Sequence, residues 1–348
     1  MPARLAVQLL FLALVVWIGV DFARWVGHHE SLGAAPYVQR PAGVEGFLPI
    51  AALMSVKYFV HTGVVHPVHP AGFVLLLAFV GVSLIAKKAF CSWVCPVGLI
   101  SEWLGRFGNW GLGKNLRLPR WLDVSLRGLK YLLLAFFLWA ILKMPAIAIE
   151  QFLDSPYAKV ADVKMLHFFR HLTPFALGVL LALFVLSTII RNFWCRYLCP
   201  YGALLGLTSL LAPWKITRHA EACIDCERCD RACPSSLPVM TSTRVRSDEC
   251  VGCMECVRVC PRPAALGLEL PKAVPAPYRR LSPARAAALV LALTLMPIAA
   301  AKVAGMWAGS VSEGEYRFRI QEINSPLYNH ARGSAPSDTR EIRPEAPR

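Results

Sequence analysis

Five apolar runs recur along the chain: Leu5–Val20, Ala71–Ala86, Tyr131–Leu142 with its flanks, Leu172–Ile190 and Ala286–Ala301. Inside a bilayer every backbone N–H and C=O must find a partner within its own segment, so runs of this kind enter lipid as helices. A span needs roughly 20 mostly apolar residues, so the shorter runs draw on their flanks or on a thin bilayer. Composition agrees: the chain is 56% hydrophobic, with a mean hydropathy of +0.47. Soluble globular chains rarely reach that value, and membrane insertion is the first reading. No small-residue cleavage site follows the first run, so an uncleaved anchor is expected there in place of a signal peptide.

Charge gives the runs a direction. The net charge is +15, and residues 87–130 hold eight Lys/Arg against two Asp/Glu, while residues 191–285 hold fourteen against eight. Residues 21–70 and 145–172 hold three of each sign, and residues 306–348 six of each. Basic excess alternates between successive inter-run segments, as the positive-inside rule requires. A nucleic-acid patch is disfavoured, because the charge tracks topology and forms no single stripe with aromatics. The expectation is five spans with the N-terminus, residues 87–130 and residues 191–285 in the cytoplasm. Phe47–Val65 is also apolar but carries Lys57 and borders His61, His66 and His69; it reads as a helix at the outer interface or re-entering the bilayer.

Two segments carry the chemistry. Residues 223–234 read CIDCERCDRACP and residues 250–261 read CVGCMECVRVCP, both C-x2-C-x2-C-x3-C-P, offset by 27 residues. That repeat has the spacing of a two-cluster bacterial ferredoxin. Three thiolates on one tight loop reach one cubane, and the fourth cysteine crosses to the other. One [4Fe–4S] cluster would take Cys223, Cys226, Cys229 and Cys260, and a second Cys250, Cys253, Cys256 and Cys233. A disulfide framework does not suit a reducing compartment, and zinc sites do not require this run.

The second segment is duplicated. FCSWVCPVG, residues 90–98, and WCRYLCPYG, residues 194–202, align without gaps at an offset of 104 residues. Cys91, Cys95, Cys195 and Cys199 therefore gather at one membrane face. On a helix, cysteines four apart share a side. The four thiols suit a further cluster, Cu(I), or a dithiol that cycles with a disulfide; packing as small hydrophobes is the bland alternative.

These paired C-x3-C-P motifs followed by an eight-cysteine segment resemble the membrane polyferredoxin family, which includes NapH, MauN and the C-terminal membrane half of NosR. The resemblance runs from about Arg40 to Pro261. It implies a bacterial inner-membrane protein that handles electrons between the quinol pool and a periplasmic redox system. It also implies redox-active or metal-binding C-x3-C-P motifs. The chain differs in lacking NosR's flavin-bearing N-terminal region, and in having a fifth span and a tail that starts near Gly305. A related group that reduces copper during oxidase assembly supplies the alternative: a metal reductase or maturation factor. A regulatory redox sensor is a third.

Quinol oxidation needs an apolar slot with a proton acceptor. Candidates at the outer interface are Glu45, His61, His66, His69, Glu150, Asp154, His167 and His171, with interfacial anchoring as the competing role of any single histidine. A slot there would lie across roughly 30 Å of hydrocarbon from the inner-face thiols.

The expected fold is an all-α multi-pass membrane bundle of about five spans with a small α+β ferredoxin-like two-cluster cytoplasmic insert. Residues 1–40 form an anchor span and outer loop, 41–212 the four-thiol membrane core, and 213–272 the ferredoxin-type domain. Residues 273–304 form the last span. Residues 305–348 form an outer tail that could meet a partner, its end disordered. Lipid, the quinone pool and a redox protein are the expected partners.

Overall fold

The computed structural model describes residues 2–111, 113, 115–271 and 280–328. Three helices among them are long and apolar enough to cross a bilayer: Ala3–Glu30 within Pro2–Glu30, Arg120–Lys143 and Pro283–Val303. Ala161–Arg170 and Pro174–Ile189 would add a fourth span, but they meet at a bend of 83°. Proline causes the bend. Pro174 disfavours helical backbone at Thr173, and the first helix closes with the His171 N–H on the His167 carbonyl at 2.8 Å. The fifth expected span, Pro70–Ala86, is an apolar helix of 17 residues, about 26 Å at 1.5 Å per residue. The Phe47–Val65 stretch forms a 14-residue helix, Pro49–Thr62, stopped by Gly63 in the left-handed region (φ 76°).

Prolines set most of the helix starts. Pro49, Pro70, Pro96, Pro156, Pro174, Pro200 and Pro283 each stand at the first helical position, where the missing N–H costs nothing and φ is already suitable. Pro297 lies inside a span, a placement membrane helices tolerate.

The chain divides into two units. Unit 1 comprises Met1–Ala13, Ala78–Ala135 and Phe175–Leu295. Its core joins Val7 and Phe11 of the first helix to Val82, Phe90 and Trp93, and to Ile216, Met254 and Leu268 of the cysteine-rich segment. A three-stranded antiparallel sheet flanks that segment: β1 (Lys215–Arg218), β2 (Leu266–Glu269) and β3 (Arg280–Leu281), in that order. Ile216 pairs with Leu268 and Leu268 with Leu281. β1 precedes and β2 follows the two cysteine loops, and the two strands pair with each other.

Unit 2 comprises Leu14–Leu77, Phe136–Pro174 and Met296–Arg348. One of its cores gathers Phe22, Trp25, Val44, Val163, Tyr316, Ile320 and Tyr328. The helix Glu313–Gln321 supplies Tyr316 and Ile320, so the first part of the expected outer tail folds back on its own unit. The expected disordered end, residues 335–348, lies outside the described residues.

Candidate iron–sulfur centres

The two cysteine loops repeat in backbone as well as sequence. Asp225 (φ 50°) and Glu227 (φ 56°) in the first match Gly252 (φ 60°) and Met254 (φ 58°) in the second, all left-handed. Such alternation winds a loop tightly and turns successive N–H groups inward, a geometry that favours anions. At Gly252 only glycine fits, since a Cβ there would lie 2.9 Å from the Ala86 carbonyl oxygen. Short helices, Arg228–Ala232 and Glu255–Arg258, follow the loops.

Two cavities result. One is lined by Cys223, Cys226, Cys229 and Cys260, with Ile224, Met240 and Leu266. The other is lined by Cys233, Cys250, Cys253 and Cys256, with Ile216, Leu237 and Met254. Each cavity thus meets three cysteines of one loop and the last cysteine of the other. Among the described residues, no three His, Cys, Asp or Glu stand at the separations of a single-ion site. Four sulfurs spread around an apolar cavity suit a multi-iron cubane better than a lone ion. The cysteines of the second cavity are the more buried: Cys250, Cys253 and Cys256 are buried, whereas Cys223, Cys226 and Cys260 are partly exposed. Burial pushes the Cys253 and Cys229 thiols up to about 11, so a bound cation, not water, would have to hold them as thiolates.

The C-x3-C-P pairs straddle helix breaks and do not lie along one helix face. Cys91 sits in the short helix Ala89–Trp93, and Cys95 stands outside it, immediately before the helix Pro96–Gly111. In the second copy Cys195 sits in a π turn, Trp194–Leu198, and Cys199 caps the helix Pro200–Ser209, its Sγ accepting from the Gly202 N–H at 3.2 Å. Proline therefore starts a helix whose N-terminus faces the second sulfur. Gly98 permits the tight first turn, because a Cβ there would lie 2.0 Å from the Cys91 carbonyl oxygen. Burial is the main upward force on the Cys195 thiol, with Cys199, Cys95 and Cys91 adding to it.

Ammonium groups surround this site. Lys87, Lys88 and Lys130 are all buried. Lys88 and Lys130 approach the two oxygens of Glu249, Lys88 at 3.5 Å, and both draw the Cys91 and Cys199 thiols downward against burial. Glu249 is the neighbour of Cys250. Lys87 Nζ donates to the Ser247 carbonyl at 2.9 Å. The first C-x3-C-P turn touches the second cysteine loop directly: Ser92 Oγ donates to the Val251 carbonyl at 2.6 Å and Trp93 Nε1 to the Gly252 carbonyl at 3.2 Å. Arg4 braces this joint, donating to the Ser92 carbonyl and to Glu255, each at 3.0 Å, and to Glu102.

The expected quinol residues separate into groups within unit 2. Glu45 is fully buried and takes two bonds from Arg40 at 3.1 Å. His66 is buried, 3.6 Å from Asp154, and its ring meets the edge of Tyr58. His167 bonds Glu30 at 2.8 Å and lies edge-on to His171. His61 is exposed at the end of its helix. Sequence reasoning missed Arg4, Lys88, Lys130 and Glu249, and Arg40 and Asp162 in unit 2. A charge set inside an apolar stretch, as at Lys88 or Lys130, was the available signal.

Comparison with known proteins agrees with this arrangement. A family model described as a 4Fe-4S binding domain matches residues 68–115 and again 172–219, the offset of the C-x3-C-P repeat. A 4Fe-4S dicluster domain matches residues 215–261. The chain is 48% identical over 330 residues to the putative electron transport protein YccM of Escherichia coli (strain K12), covering 94% of this chain and 91% of that protein. It is 32% identical to the methylamine utilization ferredoxin-type protein MauN of Methylorubrum extorquens, over 54% of this chain and 61% of MauN. It is also 32% identical to the regulatory protein NosR of Pseudomonas aeruginosa, over 46% of this chain and 22% of NosR. No solved structure matches. Apolar spans, a twice-matched 4Fe-4S domain and a dicluster segment meet in one chain, which belongs to the membrane polyferredoxin-type family of iron–sulfur electron-transport proteins.

Proposed function

We propose that this protein passes electrons between the quinol pool and a partner redox enzyme on the periplasmic side of a bacterial inner membrane. The reading rests above all on one observation: the Cys250–Cys256 cavity is held against the first C-x3-C-P turn by Ser92, Trp93 and Arg4. Cys223, Cys226, Cys229 and Cys260 would hold one [4Fe–4S] cluster, and Cys233, Cys250, Cys253 and Cys256 another. Cys91, Cys95, Cys195 and Cys199 would hold a third; the 4Fe-4S description of both matched repeats supports this over a copper site or a disulfide. When bound, such clusters carry one electron at a time. The protein supplies sulfur ligands, buried lysine charge, and a partly exposed edge at Cys223, Cys226 and Cys260. The basic segments 87–130 and 191–285 favour the cytoplasmic side for all twelve cysteines. That parity requires Pro70–Ala86 to cross as well, giving five spans.

The test is reduction of the anaerobically purified full-length protein by a quinol analogue, followed by electron paramagnetic resonance. The expected result is reduction of the cluster signals by the quinol, with Cys226→Ser and Cys253→Ser each removing a different signal. Clusters that dithionite reduces but quinol does not would sink the quinol reading. Reoxidation by Cu(II) far faster than by quinone would favour the metal-reductase alternative.

A further inference from the structure

Unit 2 encloses four ionisable side chains drawn from four places in the chain. Arg40 precedes the turn Ala42–Phe47, which carries Glu45; His69 precedes the helix Pro70–Ala86; Asp162 opens the helix Ala161–Arg170. Glu45 and Asp162 are 0% exposed and His69 is 1% exposed. Arg40 donates to Asp162 Oδ2 at 3.1 and 2.7 Å and to Glu45 Oε1 at 3.1 Å. The Gly72 N–H donates to the other Glu45 oxygen at 3.0 Å.

One guanidinium cannot balance two carboxylates that water does not reach, and an uncompensated buried charge is costly. The His69 ring shows where the missing charge sits. Its Nε2 lies 2.7 Å from the Ala158 carbonyl oxygen, which can only accept, so Nε2 carries hydrogen. Its Nδ1 lies 3.5 Å from Glu45 Oε1 and is buried without a hydrogen-bond partner. A lone pair on Nδ1 would face a carboxylate; a second proton there closes the charge balance at two against two. The charged and polar groups that act on the ring are Glu45, Asp162 and the Ala158 carbonyl, with His66 opposing at longer range. Tyr316 covers Arg40 from the Glu313–Gln321 helix, with its ring centre 5.3 Å away. Burial drives the imidazole toward its neutral form, yet Glu45 and Asp162 raise His69 above the ordinary histidine range.

Three residues earlier, His66 behaves in the opposite sense. The Val68 N–H points to its Nδ1 at 3.5 Å, leaving Nε2 toward Asp154 Oδ1 at 3.6 Å. The Asp154 side chain is 54% exposed. Burial lowers His66 below the ordinary range, against Asp154 and Glu150. One imidazole is built to hold a proton in the interior and the other to be neutral beside a surface carboxylate.

We propose that His69, facing Glu45, is a buried proton-storage site. The stored proton sits on His69 Nδ1. Proton storage follows from the charge balance alone. Its use rests on the quinol oxidation proposed above, in which each quinol gives up two protons as its two electrons pass to the iron–sulfur centres.

The experiment is histidine-labelled nuclear magnetic resonance of the full-length protein in lipid nanodiscs across pH 5 to 9. One of the nine histidines should remain doubly protonated well above the ordinary value near 6.5, and its signal should be absent in His69→Gln. In Glu45→Gln the same signal should fall back into the ordinary range or below it. Retained cluster absorbance identifies variants that fold. A His69 signal that is neutral at pH 7, or that ignores Glu45→Gln, overturns the proposal. Quinol-driven cluster reduction is followed in parallel. Wild-type protein that holds the His69 proton but is not reduced by quinol would sink the quinol reading and leave the storage site standing.

Discussion

At the residue scale, the repeat is less symmetric than its spelling. A Cβ on Gly98 would meet the Cys91 carbonyl oxygen at 2.0 Å, whereas one on Gly202 would stand 3.5 Å from the Cys195 carbonyl oxygen, an ordinary contact. Gly98→Ala must therefore move backbone next to a sulfur, at a cost of about 1–3 kcal/mol. Gly202→Ala should cost under ~1 kcal/mol. Thermal unfolding and iron content of the two variants check this: Gly98→Ala should lose iron and Gly202→Ala should keep it, and equal behaviour would contradict the packing. The eight ferredoxin-type cysteines line two cavities in the pattern their repeat suggests, three from one loop and the last from the other. The charged residues around the thiols were not legible in the sequence. Lys130 and Glu249 meet across 119 positions, and Lys88 and Glu249 across 161, and no local pattern encodes such pairs. Arg40 and Asp162, separated by 122 positions, were hidden for the same reason.

At the element scale, proline was the most readable signal. The Pro in C-x3-C-P ends one apolar segment and starts the next helix, so the motif marks a corner and its cysteines do not share a helix face. Periodicity could not show this, because a four-residue spacing reads as one helical turn until the proline's effect on the preceding residue is included. The helix Glu313–Gln321 was also missed. It has little hydrophobicity of its own, and it is held by Ser312 Oγ accepting from the Glu315 N–H at 3.2 Å and by Glu313 accepting from Trp25 and His29 at 3.1 and 2.9 Å. Ser312→Ala should cost about 1 kcal/mol of helix stability, read as faster tryptic cleavage at Arg317 and Arg319. The His29, Trp25 and Tyr37 hydrogen bonds hold the Glu313 carboxyl below its usual range despite burial. A depressed carboxylate stabilises above its unfolded pKa, near 4.3, and loses that contribution as pH falls through its folded value. Hydrogen-exchange protection of this helix in wild type should therefore fall below about pH 4; pH-independent protection would contradict the docking.

At the scale of the whole molecule, the membrane class was legible from apolarity and the alternation of basic segments. The span count was less so, because Pro174 bends one apolar run by 83° and Pro70–Ala86 is only 17 residues long. Neither feature shows in a sliding average, which registers apolarity but not direction. What organises unit 1 is sulfur: eight cysteines around two cavities, and four more in the C-x3-C-P corners, the first of which is fastened to the second cavity's loop. Iron and acid-labile sulfide counted per chain in anaerobically isolated, full-length protein test that account most directly. About twelve irons are expected, four for each of three cubanes. About eight would contradict a cluster at Cys91, Cys95, Cys195 and Cys199, and a colourless, iron-free protein would contradict the account as a whole.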